Sequence, residues 1–92
     1  MAATAVRFEV EQATMIAWDL PVVVARLLSP GAVEVGERST LGGCRVLQVT
    51  EIERSFRADG TPRPLLYAFA LLFEADLARF SPGQVVALLA EG

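Results

Sequence analysis

Val6, Phe8 and Val10 alternate with Arg7, Glu9 and Glu11 near the start of the chain. That period of two predicts a strand over Val6 to Glu11 with one face buried. Ala13 to Ile16 is apolar again, and Trp18-Asp19-Leu20-Pro21 interrupts it. Pro21 has no N–H to donate and fits the start of a strand. Val22 to Leu28 is largely apolar and rich in β-branched residues, and a strand is strongly predicted there. Ser29-Pro30-Gly31 reads as a tight turn, because Pro30 presets φ and Gly31 accepts positive φ. Val33 and Val35 then alternate with Glu34 until Gly36 breaks the run, so a hairpin is expected across this turn.

Leu41-Gly42-Gly43 is a second turn signal. Cys44 to Arg57 reads as a long strand whose pattern slips. Cys44 and Val46 share one face, Leu47 and Val49 the other, and Ile52 and Phe56 return to the first. A β-bulge, or a strand passing between two faces, explains such a slip. Ala58 to Pro64 contains Asp-Gly and two prolines and is a loop. Leu65 to Phe73 is continuously apolar and Glu74 to Phe80 is mixed. Propensity alone leaves helix and strand both open for Leu65 to Arg79. The neighbouring short strands and Gly/Pro turns favour a strand buried on both sides. Ser81-Pro82-Gly83 repeats the earlier turn, and Gln84 to Leu89 reads as the last strand.

Together these elements predict an all-β fold: a small antiparallel β-barrel of six or seven strands. The 92 residues make one domain, and 53% hydrophobic content suffices for its core. The longest apolar run is too short to span a bilayer, so no membrane contact is expected. The N-terminus lacks a basic region leading into an apolar stretch, which argues against secretion by that route. The single cysteine, Cys44, permits no internal disulfide and fits a reducing compartment. A soluble, cytoplasmic protein is expected.

The order of the elements resembles the second domain of translational GTPases of the elongation factor Tu type, a small β-barrel. Phe8-Glu9-Val10-Glu11-Gln12-Ala13-Thr14-Met15-Ile16 is similar to that family's opening strand, V-E-D-V-F-x-I. Val22 to Leu27 is similar to V-x-x-G-R-V, and Gly31 to Glu37 to the glycine turn with I-x-V-G-D. Val46 to Ile52 stands where the family has V-x-x-I-E. Ala70 to Leu77, with Gly83-Gln84-Val85-Val86-Ala87, resembles G-L-L-L-x-G-I and G-Q-V-L. The likeness spans roughly residues 6 to 90. Ala25 replaces the glycine before Arg26, Pro30 is extra in the turn, Trp18-Asp19-Leu20 replaces a glycine-rich loop, and Glu74 stands for a glycine. In the elongation factor this domain helps hold the acceptor end of aminoacyl-tRNA. The turn residues that do so have no counterpart here, and the nucleotide-binding domain is absent from the likeness. The resemblance therefore implies a binding module and not GTP hydrolysis.

Chemistry-bearing residues are sparse. The chain has no histidine, and all eight basic residues are arginine. That removes the usual general base, the Schiff-base lysine and the Walker-type phosphate loop. No catalytic role, cofactor or metal is expected. A net charge of -3 offers no broad field for nucleic acid. Arg54, Arg57 and Arg63 flank one loop and form a candidate contact for an anion or RNA backbone. Their ordinary alternative is local pairing with Glu51, Glu53 or Asp59. Trp18 and Asp19 are a candidate partner contact, against the alternative of a lid over the barrel end. Arg26 and Arg45 read as outer-face charges that protect an edge from pairing. Cys44 reads as a buried structural thiol. Glu9 with Glu11, and Glu51 with Glu53, read as solvated carboxylates. The expected function is a non-catalytic module docking on a protein or ribonucleoprotein. The alternative is a self-associating interaction protein, a homodimer, unconnected with translation.

Overall fold

The computed structural model describes residues 5–16, 20–29, 33–52 and 66–89. They form a closed, six-stranded antiparallel barrel: β1 (Ala5–Ile16), β2 (Leu20–Leu27), β3 (Thr40–Leu41), β4 (Cys44–Glu51), β5 (Leu66–Leu71) and β6 (Val85–Leu89). Around the ring the order is β1-β2-β5-β4-β3-β6, and β6 returns to β1. The expected small all-β barrel is the observed fold.

Alternation sets the inside. Val6, Phe8 and Val10 of β1 are almost fully buried, and Arg7 and Glu9 point out. The two apolar stretches read separately at the start of the chain are one strand of 12 residues. A bulge at Glu11 joins them, since Val10 opposes Ala25 and Gln12 opposes Val24. The extra residue resets the phase, which is why Ala13 and not Gln12 packs against the core. β4 carries the second bulge at Leu47, between Val46 opposite Leu71 and Gln48 opposite Ala70. That is the slip visible in the sequence. Leu47 and Gln48 are both exposed, and Val49 returns to the core side.

Phe8, Tyr67 and Phe69 fill the barrel centre. The Phe8 ring meets Phe69 edge-on at 5.0 Å and Tyr67 at 5.8 Å. Two glycine turns shape the ends. Gly42 and Gly43, at φ 58° and 86°, form the two-residue connection of the β3–β4 hairpin, which needs positive φ at both positions. At Ser81-Pro82-Gly83, Gly83 has φ 88° and the Gln84 N–H donates to the Ser81 carbonyl at 3.0 Å.

Two expectations change. The hairpin expected across Ser29-Pro30-Gly31 does not form: residues 33–36 are not a strand, and the third strand is Thr40–Leu41. Both edges of β2 are already taken, by β1 and β5, so Val33–Gly36 has no edge to join. Val33 and Val35 still pack against the core. Buried Ser39 ties this segment down, its Oγ accepting from the Gly36 N–H at 2.7 Å. The second change is in Leu65 to Arg79. Leu66–Leu71 is the expected strand, but Glu74–Arg79 is a 3₁₀ helix that turns Leu77 and Phe80 onto the core. The central part of the Ser29 turn, residues 30–32, lies outside the described residues.

Candidate functional site

The five residues singled out as partner contacts, Trp18, Asp19, Arg54, Arg57 and Arg63, all lie outside the described residues, as does Glu53. The other charged candidates have structural partners. Arg26 sits in β2 opposite Glu9 of β1, and its Nη2 donates to Glu9 Oε1 at 2.6 Å. Glu11, displaced by the bulge, brings Oε1 to 4.0 Å from Arg26 Nε. The paired carboxylates of β1 thus share one arginine. With a third of each side chain exposed, the close pair contributes little to stability beyond fixing geometry. Arg26 does not guard an edge, because β2 is paired on both sides. Arg45 does not either: β4 lies between β3 and β5, and the guanidinium donates to the Glu37 carbonyl at 2.6 Å.

Cys44 is buried, as expected of a structural thiol, although two glycines precede it, and it interacts with Asp76 and Arg79 of the 3₁₀ helix. Burial pushes its thiol pKa up, the Asp76 carboxylate adds to the rise, and Arg79 partly offsets it. A neutral, enclosed thiol is a poor nucleophile. Among the described residues, no three of Cys, Asp and Glu gather to hold a metal ion. No helix among them is long and apolar enough to cross a membrane.

The distinctive surface is the outside of the sheet formed by β1, β2, β5 and β4. The inner row Ala13, Val23, Phe69 and Val49 belongs to the core or packs against it. Its neighbours in register therefore face outward. Thr14 opposes Val22, Val22 opposes Ala70, and Ala70 opposes Gln48. On one side of this row, Gln12, Val24, Ala68 and Thr50 align in the same way. On the other side stand Ile16 opposite Leu20, with Leu72 two residues past Ala70. None of these positions is charged, in a chain where 21% of residues are. Val22 and Ala70 are each 5% exposed, yet neither belongs to the interior core cluster. Around them Ile16, Leu20, Leu72 and the bulged Leu47 are 47%, 36%, 40% and 57% exposed. Among the described residues, the charges of this face are Glu9, Glu11 and Arg26 at one end and Arg45, opposite Leu72, at the other corner. All four side chains are engaged as described above.

The sequence contained a signal for this face. The outward positions Val22, Val24, Ala68, Ala70 and Leu72 are apolar, while Arg26 is the charged exception in the first of the two apolar runs, Val22 to Leu28. The second run, Leu65 to Phe73, alone is expected as a strand buried on both sides, and at its end Leu72 is open on the outer surface. No family model, no curated protein and no solved structure matches the chain.

Proposed function

We propose that this protein is a non-catalytic binding module: a free-standing barrel of the translation-factor type that docks a protein surface, in the cytoplasm, through the outer face of β1, β2, β5 and β4. The observation that carries the reading is the absence of charge from two successive outward rows across the sheet, followed by open Ile16, Leu20 and Leu72 in a third row that ends on Arg45. Water-facing sheet surfaces ordinarily alternate polar residues outward, so a neutral face with open leucine side chains marks a contact region. A ribonucleoprotein partner would be met through its protein component. Nucleic acid needs arginines free to pair with phosphate, and on this face Arg26 and Arg45 are held by Glu9 and by the Glu37 carbonyl. The ordered likeness to the translation-factor barrel supports a module built to present a sheet face and loops rather than a reaction centre.

The test is affinity capture from native extract with and without ribonuclease, followed by mass spectrometry. Protein partners retained after ribonuclease are the expected result. Loss of every partner on ribonuclease treatment would overturn the protein-docking reading in favour of RNA.

A further inference from the structure

We draw no further inference here: the strongest candidate, the outer face of β1, β2, β5 and β4 with its open Ile16, Leu20 and Leu72, belongs to the docking surface already described, and nothing in the structure shows what covers it.

Discussion

Replacing Phe8 and Phe69 by leucine, singly and together, isolates the ring contact at the barrel centre. Both side chains are fully buried, and their rings meet at 5.0 Å with an interplanar angle of 81°. Phe→Ala in a core costs about 3–5 kcal/mol, and leucine refills much of that volume, so each single change should cost roughly 1–2 kcal/mol. An edge-to-face pair adds about 0.5–1.5 kcal/mol beyond burial. That increment disappears once and not twice, so the double variant should be less destabilised than the sum of the singles by about 1 kcal/mol. A domain of this length has roughly 5–14 kcal/mol of stability, so all three variants remain folded enough to measure. Tyr67, also edge-on to Phe8, is present throughout, and its contribution cancels from the Phe8–Phe69 coupling. Urea unfolding followed by far-ultraviolet circular dichroism gives the free energies, provided the slope stays constant across the set. Phe73→Leu is the control: it is 56% exposed and should move stability by less than about 0.5 kcal/mol. Additivity within about 0.3 kcal/mol would show that the rings are interchangeable filler. A Phe73 effect as large as that of Phe69 would refute the assignment of the core.

Two further predictions concern the hairpin and the thiol. Gly42→Ala and Gly43→Ala should each cost about 1–2 kcal/mol in urea unfolding, because both residues hold positive φ. Gly42→Ala should cost more, since its new methyl would lie 3.1 Å from Val86 Cγ1 and the one at Gly43 meets nothing within 4 Å; the reverse order would contradict this turn geometry. Burial raises the Cys44 pKa above its ordinary value of 9.0, so the folded state keeps the proton to higher pH than the unfolded state does. The stability tied to that neutral thiol is complete below the ordinary value and falls as pH climbs above it. Cys44→Ala should flatten that alkaline loss between neutral pH and about pH 10, and identical slopes in the two proteins would sink the assignment.

The barrel was legible because its information is periodic and local. The Val6-Phe8-Val10 alternation, the slip at Leu47 and the glycine turns each state a backbone geometry that no distant residue needs to complete. The errors arose where pairing depends on what else occupies a sheet. Val33 and Val35 have the pattern of a strand, but β2 has no free edge to receive them. Glu74–Arg79 is mixed in composition, and its role in closing the core through Leu77 and Phe80 depends on its position after β5. The candidate face was hidden for a related reason. Burial on a second side is a property of neighbours, so an outward Val22 and an outward Leu72 look alike in sequence. One is covered and the other is open. The arginines of β2 and β4 illustrate the same limit, since Glu9 and the Glu37 carbonyl lie 17 and 8 residues away along the chain.

The ring is closed by β3, which contributes only Thr40 and Leu41, each bridging β4 on one side and β6 on the other. Every other junction is at least five residues long in register. The barrel therefore behaves as a rolled sheet with a short clasp, and thermal opening concentrates there instead of spreading evenly around the circumference. Releasing the clasp costs few hydrogen bonds, yet it bares the edges of β4 and β6 together. Those two edges form the molecule's vulnerable seam, where proteolysis, strand exchange and aggregation would begin long before the aromatic centre comes apart.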